Sequence, residues 1–386
     1  MIVFDKQLLE NTFLLEQAKR LHDQCFISKE QLQDIKQKLP VLKSNSNILI
    51  RIGFFILGNF LFSSISGVIA LVIMGLAESH FWIMMLLYTL LGIGASEFLA
   101  KEQLQFGYGL DDAFILGFQA LFCATLGIAF ESPMAAFIGL AFIGLAACIR
   151  YVHTLSIILS LIGITGTICY AVLELKLVAS AFLPFILCLL AVLIYSIYLK
   201  FSKDKKLYYY VNPILVLQGF SLLLGYFSMN YLVVRELSES LLGLAIANGK
   251  DIPFAYLFYV FTFLIPVSYI VYSLYSKNRL MLIIGLLTFG FSIFTIRFYY
   301  HILPVEVALL LGGTVLFAIS YLAIRKLNDK ETGLTFKPVR GSQTDMLKNF
   351  EAIIVATHVS LEPMESESKM PFGGGGFSGG GSGGNF

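Results

Sequence analysis

Apolar residues in this sequence fall into ten long runs separated by short polar breaks. Each run meets or approaches the ~20 apolar residues that a helix needs to cross the hydrocarbon core of a membrane. A helix is expected because every backbone amide buried in lipid must be hydrogen-bonded within its own segment. Only Glu131, Ser132 and Pro133 separate the third run from the fourth, which predicts a tight helical hairpin. The predicted spans are Ile52 to Met74, Phe81 to Ser96, Ala113 to Phe130, Met134 to Ile149, Leu155 to Leu173, Leu177 to Leu199, Ile214 to Val234, Phe254 to Tyr275, Leu280 to Phe298, and Val305 to Ile324.

The basic residues are sorted along the chain in step with these runs. With ten spans, 23 of the 27 Lys and Arg residues fall on the side of the membrane where the chain starts. The outward loops hold the other four, Lys176, Arg235, Lys250 and Arg297. Cytoplasmic loops of membrane proteins are enriched in Lys and Arg. The sequence therefore predicts an all-α polytopic transmembrane helix bundle with about ten spans and both termini in the cytoplasm.

Residues 1–47 are predicted to form a short amphipathic helical hairpin on the cytoplasmic side. Ser28 begins the second helix, with Gln31 placed to complete a capping box and with Ile27 and Leu32 placed as a hydrophobic staple. The hairpin is expected to rest on the membrane or on the cytoplasmic loops, and a groove for a protein partner is the alternative. The first helix carries one apolar face at helical spacing, made of Leu14, Ala18, Leu21 and Cys25.

Two polar segments follow the predicted transmembrane domain, which covers residues 48–324. Residues 325–371 form a hydrophilic cytoplasmic segment. Residues 372–386 form a Gly-rich tail, with nine glycines among the fourteen residues from Gly373 to Phe386. Because glycine leaves the backbone free, we expect a flexible tether. The tail is similar to the Gly/Ser/Phe tails of bacterial membrane proteins that carry a TPM domain, and this similarity implies no function.

Composition supports a membrane protein and argues against several other classes. Hydrophobic residues make up 57% of the chain and charged residues 13%, with a mean hydropathy of +0.80. Soluble domains carry about 25% charged residues. The net charge of +2 does not point to nucleic acid. The five cysteines form no CxxC pair and no metal-ligand spacing, so neither a metal site nor a cofactor is predicted. The predicted partner is the lipid bilayer.

The first eighty residues resemble a family of bacterial membrane proteins. Phe26, Ile27, Ser28 and Gln31 stand at the turn of the hairpin, and the apolar block Ile48 to Met74 follows it. This arrangement is similar to bacterial polytopic membrane proteins grouped by a domain of unknown function, the 2157 type. The resemblance implies a location in the plasma (inner) membrane, and it implies neither an activity nor catalytic residues.

No ionisable residue lies at the centre of a predicted span. Burying a charge at the bilayer centre costs about 3 kcal/mol or more. We therefore expect an interfacial position for the residues that lie within about a turn of a span end, where long side chains can reach the headgroups. These residues are Arg51, Glu97, Glu131, Glu174, Arg297 and Glu306.

Uncharged polar side chains within the spans mark candidate positions for the lining of a cavity. Asn59 lies in the first predicted span, Gln119 in the third and Gln218 in the seventh. An amide in hydrocarbon seeks a partner, so each is expected to face another helix or water, and hydrogen bonding between helices is the alternative to cavity lining. Pro184 and Pro266 fall within the sixth and eighth spans and are predicted to kink them.

The sequence contains no Walker loop and no HExxH, GxSxG or serine–lysine motif. No catalytic residue is therefore assigned, and the predicted protein is not an enzyme. Ten spans, two prolines and three polar positions favour a permease or channel-like module for a small solute. The alternative is a membrane-anchored scaffold that recruits protein partners through its N-terminal hairpin and its C-terminal tail. A membrane-embedded lipid transferase is disfavoured because no acid or histidine lies in a pocket-forming position.

Overall fold

The secondary structure of the protein is helical. The computed structural model describes residues 2–23, 26–45, 47–72, 81–176, 178–242 and 252–300, with a few single positions between 310 and 325. These residues contain no strand, only an isolated bridge between Lys43 and Gln105, which confirms the predicted all-α class. Cys25, most of the predicted tenth span, nearly all of segment 325–371 and the whole Gly-rich tail lie outside the described residues.

Short 3-10 turns precede two of the described helices: Ser180–Phe182 comes before α8 and Lys205–Tyr210 before α9. The helices are α1 (Lys6–Asp23), α2 (Lys29–Lys38), α3 (Ile48–Val72), α4 (Phe81–Lys101), α5 (Leu110–Ala129), α6 (Pro133–Tyr151), α7 (Thr154–Leu173), α8 (Leu183–Phe201), α9 (Val211–Met229), α10 (Tyr231–Leu242), α11 (Ala255–Ser276) and α12 (Arg279–Tyr300).

Eight helices in the described part of the chain are long and apolar enough to cross a membrane. They are α3 to α9 and α11, and they match the first eight predicted spans. Helix α12 is 22 residues long and matches the ninth. The outer faces of these helices expose large apolar side chains, such as Leu49 and Phe142, which are 74% and 72% exposed. Lipid tails satisfy such a surface and water does not, so the protein is a multi-pass integral membrane protein.

The spans pack as two neighbouring groups. In the first group α3 and α4 pack on α5, α5 packs on α6, and α6 packs on α7. In the second group α8 packs on α9, and α9 contacts α11 and α12, which pack on each other. Contacts between α7 and α9 join the groups. Helices α6 and α7 approach closely, because a Cβ atom on Gly163 would lie 2.5 Å from the Ala141 nitrogen and 2.7 Å from the Phe137 carbonyl oxygen.

Helix α1 packs against the helix ends at one end of the bundle. The Val3 amide donates a hydrogen bond to the Arg150 carbonyl at 2.9 Å, at the end of α6. The Tyr209 hydroxyl, just before α9, donates to Glu10 Oε1 at 2.7 Å. Hydrogen bonds from Tyr209 and Tyr208 lower the pKa of the Glu10 carboxyl. The N-terminal segment therefore contacts loops from both groups of spans.

The predicted hairpin is present, but of the apolar face predicted for α1 only Ala18 is buried among the described residues. The Gln31 amide donates to Ser28 Oγ at 3.2 Å, and the Ser28 amide donates to Gln31 Oε1 at 2.8 Å, so the capping box is confirmed. Leu14 and Leu21, assigned to the apolar face by their spacing, are 51% and 44% exposed, whereas Leu9 is fully buried. Leu9 packs in an apolar cluster with residues of the loops and spans, so tertiary contact rather than local periodicity selects the buried face.

The structure places the two predicted proline kinks differently. Pro266 lies inside α11, and the bend expected there stays a prediction. Pro184 instead lies in the first turn of α8, directly after a 3-10 turn. A backbone amide in the first turn has no partner within the helix, so proline costs no hydrogen bond there. Pro184 therefore begins a helix rather than kinking one, as does Pro133, which starts α6 after the predicted tight turn.

Candidate functional site

The starts of three spans converge at one end of the bundle. Arg51 lies in the first turn of α3, Asp112 lies in the first turn of α5, and His153 is the N-cap residue of α7. Side-chain contacts join all three. The N-terminus of a helix carries a partial positive charge that stabilises a carboxylate within the first turn. The convergence therefore favours an ionised Asp112 at the start of α5.

Asp111 holds the loop that leads into α5. Its carboxylate accepts hydrogen bonds from the amides of Gly107, Tyr108 and Gly109 at 2.7 to 2.9 Å. Gly107 and Gly109 have φ angles of 64° and 110°, which side chains disfavour. The loop thus presents three amide donors to one buried carboxylate, and these hydrogen bonds fix the turn that leads into α5.

Asp112 is the centre of the site. Its side chain is 5% exposed. Arg51 Nε donates to Asp112 Oδ2 at 2.6 Å, and Arg51 Nη2 donates to Asp112 Oδ1 at 2.9 Å. His153 Nε2 lies 3.1 Å from Asp112 Oδ1. Bidentate pairing of a guanidinium with a carboxylate is among the strongest polar contacts in proteins, so Asp112 ties α3 to α5 and to the start of α7.

The hydrogen-bonded chain continues from His153 into the bundle. His153 Nδ1 lies 2.8 Å from Ser156 Oγ, and Gln119 Nε2 donates to the same oxygen at 2.8 Å. Since Asp112 accepts from Nε2, neutral His153 carries its proton on Nε2 and its Nδ1 accepts from the Ser156 hydroxyl. We call Arg51, Asp112, His153, Ser156 and Gln119 the polar chain.

Every hydrogen bond in the polar chain then points toward Asp112. Gln119 donates to Ser156, Ser156 donates to His153, and His153 and Arg51 both donate to Asp112. At the inner end, Gln119 Nε2 also donates to the Ile115 carbonyl at 2.7 Å. Gln119 Oε1 is buried and has no hydrogen-bond partner. The chain therefore ends on an unpartnered acceptor, nine residues and about 13 Å into α5.

The order Asp112, His153 and Ser156 matches the order of side chains in an acyl-transfer triad. Ser156 is fully buried, and its oxygen already accepts from Gln119. A nucleophile in this position has no access to a carbonyl substrate. No group of three His, Cys, Asp or Glu side chains in the described parts of the chain is arranged to hold a metal ion. Moving or holding a proton is the chemistry that the geometry allows.

A second set of charged residues lies beside the polar chain. The Arg150 guanidinium forms a bidentate contact with the Glu97 carboxylate, and Lys101 Nζ lies 3.0 Å from the same carboxylate. The Tyr151 hydroxyl donates to Glu97 at 3.0 Å. Glu97 thus joins the ends of α4 and α6, just before His153 in the chain. The interfacial position expected for Glu97 stays a prediction, and the structure shows that its carboxylate is paired.

An uncharged polar cluster joins α9, α11 and α12. The Tyr226 hydroxyl lies 2.8 Å from Ser292 Oγ, and Asn230 Nδ2 donates to the Tyr226 oxygen at 2.8 Å. Asn230 Nδ2 also donates to Thr295 Oγ1 at 3.2 Å, and Ser292 donates to the Thr262 carbonyl at 2.6 Å. All five residues are buried. The second group of spans is therefore joined by hydroxyl and amide groups instead of charges.

The three residues predicted to line a cavity do not meet at one site. Gln119 belongs to the polar chain and hydrogen-bonds across to α7. Asn59 is half-buried, and its amide donates to the Phe55 carbonyl of its own helix. Gln218 is fully buried in α9, and neither of its amide atoms has a hydrogen-bond partner. Cavity lining stays a prediction for all three, and hydrogen bonding between helices is observed for Gln119.

An apolar cleft also opens between the end of α7 and the starts of α8 and α10. Apart from three serines its lining is apolar, and no charged group is among the residues that form it. The cleft is small, and its lining offers nothing to orient a polar ligand. The lining residues are Leu173, Ser180, Leu183, Pro184, Leu187, Phe227, Ser228, Val234, Leu237 and Ser238.

Inspection of the apolar runs does not identify three residues at the centre of the site, namely Asp111, Asp112 and His153. The two acids precede the predicted start of the third span at Ala113, and the histidine precedes the fifth at Leu155. A usable signal was present, because acidic residues directly before an apolar run mark the first turn of a helix. Nothing local indicates that these helix starts meet.

Comparison with known proteins assigns no family to the chain. No protein-family model, no curated protein and no solved structure matches it. The chemistry of the site is therefore inferred from its own side chains.

Proposed function

We propose that the protein is a permease or channel-like module for a small solute. The observation that carries the proposal is the polar chain, which runs from a half-exposed Arg51 at the end of the bundle to an unpartnered amide oxygen of Gln119 within a span. Buried ionisable groups in membrane proteins are expensive and mark ion or substrate pathways and proton relays. A bundle that only anchored the chain in lipid would not need buried ionisable groups.

The proposed location is the plasma membrane of a bacterium, with both termini in the cytoplasm. The asymmetry of Lys and Arg between the two sides supports this orientation. The resemblance of the first eighty residues to membrane proteins of the 2157 type supports a location in the plasma membrane. Reporter fusions at Lys203 and Glu236 test the orientation, because the first is expected to report the cytoplasm and the second the opposite side. Equal signals from both positions would contradict the ten-span topology.

Solute exchange across reconstituted vesicles tests the transport function. Vesicles with and without the full-length protein are loaded with a mixed metabolite extract, and mass spectrometry measures what leaves. We expect at least one solute to leave only protein-containing vesicles. Gln119→Ala removes the inner end of the polar chain and its hydrogen bond to Ser156, so exchange should fall.

Ser64→Ala is the matched control for this experiment. Ser64 lies on the exposed side of α3 and donates only to the Phe60 carbonyl of its own helix. Exchange by this variant should stay near that of the unmodified protein. Identical solute loss from vesicles with and without the protein would refute the proposal.

A scaffold is the second candidate, and the exposure of the N-terminal hairpin favours it. Helix α2 has no buried residue, and Leu14, Leu21 and Phe26 are all exposed. Deleting the whole hairpin would also remove Leu9 from the packed end of the bundle. Pull-downs with Leu14→Ser plus Leu21→Ser, and separately without residues 372–386, therefore test this function. Partners that are unchanged in both variants would exclude it.

A further inference from the structure

The direction of hydrogen bonding in the polar chain depends on one proton. With His153 neutral, each donor points toward Asp112 and the chain ends on Gln119 Oε1. Asp112 contacts both Arg51 and the His153 ring, so a positive charge gained at His153 would lie directly beside a carboxylate. The site is therefore built to accept a positive charge at the histidine.

We propose that the polar chain is a proton-binding site, with His153 as the proton acceptor. His153, Ser156 and Gln119 are buried and in contact with one another, so the site has no room for a solvated ion. A proton needs no cavity, because it moves along existing hydrogen bonds. The role of this proton as the coupling ion rests on the proposed transport function, whereas its binding does not.

The charged groups around His153 favour uptake over repulsion. Asp112 contacts its ring directly, and Asp111 lies beside it on α5. On α3, the guanidinium of Arg51 donates two hydrogen bonds to Asp112. On the α6 side the neighbouring cation is Arg150, which is paired with the Glu97 carboxylate of α4, where Lys101 also binds. Each guanidinium that flanks His153 is thus paired with a carboxylate, and Glu97 is shared by Arg150 and Lys101.

Proton uptake reverses the inner half of the chain. A hydronium ion gives one proton to Nδ1 of His153 and leaves as water, so the ring becomes an imidazolium with two N–H groups. The Ser156 oxygen must then accept from Nδ1, and its hydroxyl proton must point to another acceptor. The nearest side chain is Gln119, which can accept only if its amide rotates to present Oε1.

This rotation of the Gln119 amide costs free energy. The site therefore has two alternative hydrogen-bonded states, one with His153 neutral and one with His153 protonated. The rotation breaks the hydrogen bond from Gln119 Nε2 to the Ile115 carbonyl and brings two oxygens together. It also replaces the unpartnered acceptor at the inner end with an N–H donor. One proton at His153 therefore changes the hydrogen-bonding character of the chain at Gln119, well inside the span.

Nitrogen NMR of the full-length protein in lipid nanodiscs tests the proposal, using labelled histidine and glutamine. His153→Gln identifies the signal of His153 among the five histidines. As the pH is lowered, we expect neutral His153 to carry its proton on Nε2 first and then to gain a second proton on Nδ1. The Gln119 side-chain amide should shift in step with this second proton.

Two serine variants separate the proposed linkage from a general effect on folding. Ser156→Ala removes the hydroxyl between His153 and Gln119, so the Gln119 signal should no longer follow the histidine. Ser160→Ala, one turn further along α7, removes a buried hydroxyl that donates to the Ala141 carbonyl, and coupling should persist.

The proposal is overturned by any of three results. These are a His153 that never gains its second proton, a neutral His153 with the proton on Nδ1, and a Gln119 amide that is indifferent to the titration of the unmodified protein. A failed solute-exchange experiment beside a successful titration would remove the transport function and leave the proton site standing.

Discussion

Replacing Asp112 with asparagine removes one charge at the point where three helix starts meet. The two side chains have nearly the same volume, so the substitution leaves no cavity. Asp112 accepts two hydrogen bonds from Arg51 and one from His153. An asparagine offers one oxygen and one NH2 group, and the NH2 group would face donors on at least one side. The variant therefore loses the charge and part of the hydrogen bonding together.

The expected destabilisation is about 2–4 kcal/mol. Hydrogen bonds to a charged group contribute about 1.5–3 kcal/mol each, and breaking a buried ion pair by removing one partner costs about 3–5 kcal/mol. The Arg51 side chain is 40% exposed and can regain water once it is released, which lowers its share. His153 is 6% exposed and cannot regain water in this way. Because the released Arg51 can do so, the expected destabilisation is somewhat smaller than that for breaking a fully buried ion pair.

Unfolding of the protein in mixed micelles by increasing SDS measures this loss, with Trp82 as the single tryptophan reporter. Asp34→Asn is the matched control, because Asp34 pairs with Lys38 at 3.8 Å while both side chains are more than two-thirds exposed. Exposed pairs contribute about 0–1 kcal/mol, so this variant should unfold almost as the unmodified protein does. If Asp112→Asn and Asp34→Asn unfold at the same SDS content, the convergence of the three helix starts does not depend on the Asp112 carboxylate.

Three further predictions use the same unfolding measurement or a pH titration. Gly163→Ala should destabilise the protein by about 1–3 kcal/mol, because the new Cβ overlaps the α6 backbone. Gly94→Ala is the control and should be neutral or slightly stabilising, because nothing lies within 4 Å of its new Cβ. Equal effects of the two substitutions would contradict the packing of α6 on α7. Gln218→Met should stabilise by about 1–3 kcal/mol because it removes two buried amide atoms that have no partner, and a loss of stability would mean that the amide has one. Because the folded-state pKa of Glu10 is lowered, its contribution is present at neutral pH and is lost as pH falls through that folded value. Tyr209→Phe should weaken this pH dependence of the docking of α1, measured as the rate of proteolysis of the N-terminal segment.

Local sequence signals predict the elements of this fold well, because each is caused by local physics. A span needs a long apolar run, and the runs are plain in the sequence. Ser28 and Gln31 predict a helix start because the two residues satisfy each other's backbone amides. Pro133 predicts a helix start after a turn for a similar reason, since it lacks the amide that the first turn leaves free.

The site could not be predicted in the same way, because its contacts join distant parts of the chain. Arg51 and Asp112 are 61 residues apart, and Asp112 and His153 are 41 residues apart. Each residue alone looks like a charge at a membrane interface. Only the packing of α3 on α5 and of α6 on α7 brings the three helix starts together.

For the proposed transport function, the depths of the polar groups indicate where a path would cross between the two groups of spans. Helix α9 starts at the same end as the polar chain, because the Tyr210 hydroxyl donates to the Ile149 carbonyl at the end of α6. At ~1.5 Å per residue, Gln119 lies about 13 Å into α5, Gln218 about 10 Å into α9, and Tyr226 about 22 Å into α9. The charged groups of the polar chain thus lie at one end of the bundle, and the uncharged cluster around Tyr226 lies toward the other. Gln218 lies on the same helix as that cluster and at the depth of Gln119, so its two unpartnered amide atoms make it the side chain best placed to connect them.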